Sequence, residues 1–225
     1  SVSHDLRTPL VSIIGAASSL VEADGPLGPE GRRQLAETIR EEGERLDRYV
    51  QNLLDMTRLG YGALKLRRQP SDLRELVGAA IRQLGSSLTA HRLELDLDAD
   101  LPPVDVDPVL MAQVFANLLD NAAKYVPAGS AIAVAGRTVG DMAVIAVSDA
   151  GSGIPAEERD RVFDMFYRVA ATDMQRAGTG LGLAICKGIV EAHGGTVRAG
   201  EPLSPGKGTR MEIRLPLASG GVAAQ

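Results

Sequence analysis

Residues Ser3–Leu10 read SHDLRTPL and place a histidine, a carboxylate and a hydroxyl within about one helical turn. His4 and Thr8 are four residues apart, so they share one side of a predicted helix, and the neighbouring Asp5 can polarise the imidazole. The apolar residues that predict this helix recur at spacings of four and three: Leu6, Leu10, Ile13, Ala17 and Leu20. The stretch indicates a nucleophilic histidine, although taken alone it also fits an ordinary surface histidine near a helix start.

Turn-forming residues at 24–29 separate this helix from a second predicted helix over 30–59. The second helix has an apolar face with one polar member: Leu35, Ile39, Glu42, Leu46, Tyr49, Leu53 and Met56. Two such helices joined by a short turn predict an antiparallel hairpin over 1–60. One hairpin buries two apolar faces poorly, whereas two hairpins form a four-helix bundle, so we expect a homodimer. The alternative is a hairpin that packs against the second domain of its own chain.

After a connector at 61–70 the pattern changes from purely helical to mixed, which predicts a second domain over 71–217 and a flexible tail at 218–225. We predict helices at 72–84, 108–125, 156–162 and 181–193, and strands at 93–97, 131–138, 142–148, 196–198 and 209–215. Asp107 followed by Pro108 is a strong helix-start signal. Helices mixed with adjacent antiparallel strands indicate an α/β sandwich, and the whole chain is therefore assigned to the α+β class.

The composition argues against several functions. The 225 residues carry a formal net charge of −5, which gives no general reason to expect nucleic-acid binding. No apolar run reaches the length of a membrane span, so we expect no membrane contact by this fragment. The one cysteine, Cys186, excludes an intramolecular disulfide and a cysteine-based zinc cluster. We interpret the chain as a piece of a longer protein, because it begins at Ser1 and not at a methionine.

Residues Asn117–Tyr125 place two amides and an ammonium on one helix face. Asn117, Asn121 and Lys124 recur at spacings of four and three. Amide oxygens are hard neutral ligands that suit Mg²⁺, and a lysine can neutralise phosphate charge. The helix face predicts a site for a metal-bound phosphate compound, while the plainer alternative is a solvated polar face.

A second candidate segment, Asp149–Gly153, follows the predicted strand at 142–148 directly. A carboxylate at a strand end can accept a hydrogen bond from an adenine amino group, and Gly151 and Gly153 allow the backbone to approach a base. The plainer alternative is a glycine-rich turn.

Two further segments complete the predicted site. Residues 163–168 hold three of the chain's seven aromatic residues, which fits either a core plug or the anchor of a loop. Residues 178–183 read GTGLGL and open a helix whose free N–H groups suit an anion. They lack the lysine of a Walker A loop and the glycine spacing of a dinucleotide fingerprint. We expect a mobile lid from about 168 to 178 to close over the ligand.

In this order, the five segments resemble the H, N, G1, F and G2 boxes of the sensor histidine kinases, and the resemblance covers residues 1 to about 217. It implies a dimerisation and phosphotransfer hairpin followed by a Bergerat-type (GHKL) ATP-binding domain. It also implies that His4 accepts the phosphoryl group, that Asp5 is the general base and that Thr8 helps to dephosphorylate the partner. The implied metal ligands are Asn117 and Asn121. The implied nucleotide-binding residues are Asn117, Asn121, Lys124, Tyr125, Asp149, Gly151, Gly153, Phe166, Arg168, Gly178, Thr179, Gly180, Leu181 and Gly182.

Within the family, the chain resembles the potassium-responsive sensor kinases in residues 3–10, 12–17, 53–59 and 176–180. That resemblance implies ATP and Mg²⁺ as cofactors, the receiver domain of a response regulator as partner, and a parent protein at the cytoplasmic side of the bacterial inner membrane. Two alternatives stay open: an ATP-driven clamp or chaperone with the same nucleotide fold, and a non-catalytic dimerisation and docking module. The hairpin that carries His4 and Asp5 argues against the clamp.

Overall fold

The computed structural model describes residues 2–21, 28–60, 65–169, 180–201 and 208–218. Within them, the side chains of residues 2–5, 48, 49, 52, 53, 55–60 and 86 are not described. The helices are α1 (Val2–Val21), α2 (Pro29–Gly60), α3 (Leu73–Leu84), α4 (Pro108–Tyr125) and α5 (Gly182–Ala192). The strands are β1 (Gln69–Ser71), β2 (Arg92–Leu97), β3 (Val104–Val106), β4 (Ala131–Val139), β5 (Met142–Asp149), β6 (Thr196–Gly200) and β7 (Thr209–Pro216). Of the predicted tail, only residue 218 falls within the described ranges.

The predicted helical hairpin is present, with α1 packed along α2. The described members of the predicted α2 face are half-buried, and the polar member, Glu42, forms an ion pair with Arg45 at 3.3 Å. The apolar face of α1 differs in part from the prediction: Pro9 and Ala16 are its buried described residues, Leu10 is 46% exposed, and the other predicted members are half-buried. The apolar residues of α1 occupy more of its circumference than one facing helix can cover.

The rest of the chain folds as the predicted α/β sandwich. Its five-stranded sheet has the order β2-β4-β5-β7-β6, in which β2 and β4 are parallel and the other neighbours are antiparallel. Helices α3, α4 and α5 cover one face, and α4 packs against both its helical neighbours and the sheet. Alternate residues of β5 (Ala143, Ile145 and Val147) point into this core, as the period of a strand requires. The α4 residues that enter the core are Met111, Val114, Phe115, Ala116, Leu118, Leu119 and Ala122.

Two local predictions were wrong. Residues 69 and 70, assigned to the connector, begin a strand, because β1 pairs antiparallel with β3 from Gln69 opposite Val106 to Ser71 opposite Val104. Strands of three residues are too short to show alternation, so the sequence gives no signal for them. The predicted helix at 156–162 is instead two single 3₁₀ turns, Ala156–Glu158 and Arg161–Phe163. A segment this short can reach the core through single 3₁₀ turns, without completing a turn of α-helix.

The start of α4 is fixed by Asp107, as predicted. Its Oδ1 accepts hydrogen bonds from the backbone N–H groups of Val109 (3.1 Å) and Leu110 (3.3 Å), and Pro108 occupies the first helical turn. Its Oδ2 accepts a further hydrogen bond, from the backbone N–H of Arg67 (3.0 Å). The helix start therefore also holds the segment that enters this domain from the hairpin.

The C-terminal end of α5 is marked by a buried histidine. His193 is 2% exposed, and its Nε2 accepts a hydrogen bond from the backbone N–H of Asp107 at 2.9 Å. Its Nδ1 lies 2.7 Å from the carbonyl oxygen of Ile189, to which it donates. Since one ring nitrogen accepts and the other donates, the imidazole is neutral. Burial is the main cause of a pKa below the ordinary value for this group.

This burial predicts that the folded domain loses stability in mild acid. The folded pKa of His193 lies below that of the unfolded chain (about 6.5), so the unfolded state binds more protons as the pH falls through that range. The free energy of unfolding should therefore fall as the pH falls from about 7.5 to about 5.5. It should fall less in His193→Gln, which can accept the same hydrogen bond without titrating. Urea unfolding at both pH values measures the difference, and equal falls in the two proteins would contradict the prediction.

Candidate nucleotide-binding site

Helices α4 and α5 run antiparallel and bring two of the predicted segments together. A Cβ built on Gly182, the first residue of α5, would lie 4.0 Å from Cγ of Asn117. One turn further along, the thiol of Cys186 contacts the carbonyl oxygen of Val114 at 3.7 Å. Burial raises the pKa of this thiol to about 12, so Cys186 is an unreactive core residue. The start of α5 and the middle of α4 thus form one wall of the candidate site.

The polar face of α4 has the predicted composition. Asn117 and Asn121 are half-buried, and Lys124 is exposed. The Nδ2 atom of Asn117 is buried and has no oxygen or nitrogen acceptor within the described part of the chain; its side chain meets the thiol of Cys186, which is a weak acceptor. A buried amide with so weak a partner is rare in folded proteins, so this atom fits a bound ligand that carries acceptor oxygens. The oxygens of the two amides suit Mg²⁺, and the described residues hold no alternative cluster of three His, Cys, Asp or Glu side chains.

Lys124 has a partner within the protein. Its ammonium forms an ion pair with the carboxylate of Asp120, one turn earlier on α4, and the lysine side chain is 45% exposed. An exposed pair of this kind is worth at most about 1 kcal/mol, so a phosphate group can displace Asp120 at little cost.

Asp149 is the most constrained carboxylate of the site. It ends β5, and its Oδ1 accepts hydrogen bonds from the backbone N–H groups of Gly151 (2.8 Å) and Thr209 (3.2 Å). Burial raises the pKa of this carboxyl, while these hydrogen bonds and one from the Thr209 hydroxyl oppose the shift. The donors fix the orientation of the carboxylate at the end of β5.

Two residues of this arrangement escaped the sequence analysis. Gly208, which has φ +94°, donates its N–H to the carbonyl oxygen of Gly151 at 2.9 Å. A Cβ on Gly208 would lie 2.0 Å from the carbonyl oxygen of Asp149, so no other residue fits there. Thr209 follows it and begins β7, the strand that pairs with β5. The sequence GKGT at 206–209, directly before a strand, is the signal that could have identified them.

The aromatic segment has features of both predicted roles, a core plug and the anchor of a loop. Phe163 is buried in the core (7% exposed), whereas Phe166 is 50% exposed and has an unusual φ of +63°. The N–H of Phe166 donates to the carbonyl oxygen of Gly180 at 3.0 Å. Gly180 itself has φ +67°, and a Cβ on it would lie 2.8 Å from the backbone of Phe166. This contact joins the residues on either side of the segment from about 168 to 178 that was predicted to be a lid.

The other described residues that were predicted to bind the nucleotide differ in the exposure of their side chains. Leu181 is 1% exposed, so its side chain belongs to the core and cannot line a site. Tyr125 is half-buried, and its carbonyl oxygen lies against Gly151, while Gly153 lies against the backbone of Gly208. Arg168 is exposed.

The residues predicted to take part in phosphoryl transfer lie on the hairpin. His4 and Asp5 are within α1, and their side chains are not among those described. Thr8 is exposed on the same helix. Gly178, Thr179 and most of the predicted lid lie outside the described residues.

Comparison with known families identifies the class of protein. Residues 1–62 match the His Kinase A (phospho-acceptor) domain. Residues 106–219 match the family described as histidine kinase-, DNA gyrase B- and HSP90-like ATPase. The chain therefore belongs to the histidine kinases, with an ATP-binding domain of the GHKL type.

Among individual relatives, the chain is similar to KdpD sensor kinases. It is 39% identical over 201 residues to the sensor protein KdpD of Clostridium acetobutylicum, covering 88% of this chain and 22% of that protein. It is 37% identical over 216 residues to KdpD of Escherichia coli K12, covering 96% and 24%. The chain thus spans less than a quarter of the length of these relatives.

Solved structures support the same fold. The histidine kinase AdeS of Acinetobacter baumannii has a TM-score of 0.73 at 24% identity, over 95% of this chain and 98% of that one. The histidine kinase ThkA, solved in complex with the response regulator protein TrrA, has a TM-score of 0.70 at 20% identity, over 96% and 60%. At these identities the likeness concerns the fold.

The constrained carboxylate gives a direct test of the nucleotide site. Asp149→Asn keeps an oxygen for the N–H groups of Gly151 and Thr209 but presents an amide where a base amino group needs an acceptor. We expect ATP affinity to fall by about tenfold to a hundredfold, since hydrogen bonds to charged groups are worth about 1.5–3 kcal/mol. Titration calorimetry with ATP measures this. Asp141→Asn, an exposed position before β5, is the matched control, and equal affinities in the two variants would refute the assignment.

Proposed function

We propose that the chain is the catalytic core of a KdpD-like sensor kinase, which transfers the γ-phosphoryl group of Mg-ATP to His4 and then to an aspartate of a response regulator. The observation that carries the proposal is the pairing, in one chain, of a phospho-acceptor helix bearing His4, Asp5 and Thr8 with a nucleotide site built around Asp149 and Asn117.

In the first step, the lone pair of one His4 imidazole nitrogen attacks the γ-phosphorus of ATP. The new P–N bond forms as the bond between the γ-phosphorus and the bridging oxygen breaks, and ADP leaves with that electron pair. Asp5 takes the proton from the other ring nitrogen and so balances the charge on the imidazole. Positioning and charge neutralisation supply most of the acceleration.

The residues of the second domain bind and orient the nucleotide. Asp149 accepts from the adenine amino group, and the N-terminal end of α5 at Gly182 faces the phosphates. Asn117 and Asn121 would hold Mg²⁺, which neutralises phosphate charge, and Lys124 exchanges Asp120 for a phosphate oxygen. Phe166 and Arg168 stand at the start of the lid that excludes water.

In the second step, an aspartate carboxylate of the regulator attacks the phosphorus of phospho-His4, and the P–N bond breaks with its electron pair going to the ring nitrogen. The imidazole takes back the proton that Asp5 accepted in the first step, and so becomes neutral again. The identity with KdpD relatives favours a KdpE-like regulator of potassium transport. The ThkA neighbour, which was solved with a response regulator, supports a receiver domain as the class of partner. Thr8 would orient a water for the reverse, phosphatase, reaction.

We also propose that two copies pair through the hairpin. Large apolar side chains are exposed on both helices: Leu10, Val11, Ile14, Val50 and Leu54. A second hairpin would cover them in a four-helix bundle. We place the parent protein at the cytoplasmic side of the bacterial inner membrane, by analogy with KdpD. Among the described helices, none is long and apolar enough to cross a membrane.

Autophosphorylation is tested with ATP labelled at the γ-phosphate. The chain should acquire label that is labile in acid and stable in alkali, because a P–N bond hydrolyses when its nitrogen is protonated. His4→Gln should abolish the label, whereas the control His91→Gln should retain it. ATP binding without label would favour a docking module, and ATP-driven closure without label would favour a clamp.

Thr8 is tested by separating the two reactions. Thr8→Ala should leave the autophosphorylation rate within about twofold, because the hydroxyl plays no part in the attack of the imidazole. It should slow dephosphorylation of the phosphorylated regulator by about tenfold or more, because the water loses an orienting group. Thr8→Ser, which keeps the hydroxyl, is the control. Equal loss of both activities in Thr8→Ala would contradict the assignment.

A further inference from the structure

The segment that joins the hairpin to the nucleotide-binding domain is held by hydrogen bonds at the far ends of α4 and α5. The backbone N–H of Arg67 donates to Oδ2 of Asp107 (3.0 Å), and Nη2 of Arg68 donates to the carbonyl oxygen of Ala192 (2.7 Å). His193 lies between these two points and accepts the N–H of Asp107. We call Arg67, Arg68, Asp107 and His193 the connector clasp.

The clasp lies well away from the nucleotide. The antiparallel pairing sets Gly182 beside Asn117 at one end and His193 beside Asp107 at the other. Eleven residues of α5 separate Gly182 from His193, which corresponds to about 16 Å along the helix. A change in the clasp therefore acts on the nucleotide only through the helices or through the position of the connector.

We propose that His193 is a positioning residue for phosphoryl transfer to His4. Through Asp107 it fixes the point at which the connector leaves the nucleotide-binding domain, and hence the position from which that domain approaches the hairpin. The inference rests on the proposed function, because it assigns His193 a part in delivering ATP to His4.

The chemistry of the imidazole suits this task. A neutral imidazole donates from Nδ1 to Ile189 and accepts at Nε2 from Asp107, so one side chain joins the end of α5 to the start of α4. The charged groups that act on it are Arg68 from the connector and Asp105 and Asp107 from the β3–α4 segment. Burial opposes protonation, so the accepting nitrogen is available at neutral pH.

The test compares three variants with the unmodified chain. His193→Leu removes both ring contacts and leaves the Asp107 N–H without its acceptor, whereas His193→Gln keeps an acceptor. Arg68→Ala removes the second hydrogen bond of the connector clasp, which Arg68 donates to the carbonyl oxygen of Ala192. Because the Arg68 side chain is exposed, this change leaves the core intact. Arg92→Ala, at an exposed ion pair on β2, is the matched control.

Three quantities are measured on the full chain: hydrogen exchange of the peptide 65–71, the ATP dissociation constant, and kcat for labelling of His4. We expect faster exchange in His193→Leu and Arg68→Ala, a kcat lowered by about tenfold or more, and an ATP dissociation constant within about twofold. His193→Gln and Arg92→Ala should behave like the unmodified chain.

Other outcomes overturn the inference. If His193→Leu weakens ATP binding as much as it lowers kcat, His193 only maintains the fold. If exchange of 65–71 or kcat is unchanged in Arg68→Ala, the clasp does not position the connector, and this variant decides the matter if His193→Leu does not fold. If the unmodified chain binds ATP but does not label His4, the proposed function fails and the role of His193 in it fails too.

Discussion

The antiparallel contact between α4 and α5 is the constraint on which the rest of the nucleotide-binding domain depends. It sets three pairs side by side along about 16 Å: Gly182 with Asn117, Cys186 with Val114, and His193 with Asp107. The middle pair is buried and chemically inert, and the outer pairs are polar. Because the helices pack rigidly against one another and against the sheet, the position of each outer pair is determined by the other.

The two outer pairs differ in how their polar groups are satisfied. At the connector end, both nitrogens of the buried His193 ring have partners. At the nucleotide end, the buried Nδ2 of Asn117 meets only the weak sulfur acceptor of Cys186 among the described residues. A ligand can supply the contact that such a group lacks, whereas a fully satisfied group holds the protein together. The same helix pair thus combines a binding end with a structural end.

Most of the fold could be predicted from the sequence, because its main elements carry strong local signals. Asp107 and Pro108 mark the start of α4, and the first six residues of β4 alternate between half-buried and buried. The elements that were missed depend on distant partners: β1 is defined by its pairing with β3, and Gly208 by its approach to Asp149. Leu181 was included among the nucleotide-binding residues by the resemblance to the G2 box; its side chain lies in the core, so only its backbone could meet a ligand, and the assignment stays a prediction. The roles of His4, Asp5 and Thr8 came from a resemblance and stay predictions.

The helix pair also bears on how sequences of this kind can vary in length. Inserting one residue between Gly182 and His193 would rotate His193 by about 100° and move it by about 1.5 Å along the axis, away from Asp107. A compensating insertion in α4 would have to fall between Asp107 and Asn117. Insertions and deletions should therefore be confined to segments outside these two helices, such as the turns between elements. The number of residues from Gly182 to His193 should therefore be constant, and related chains can be aligned on these two positions.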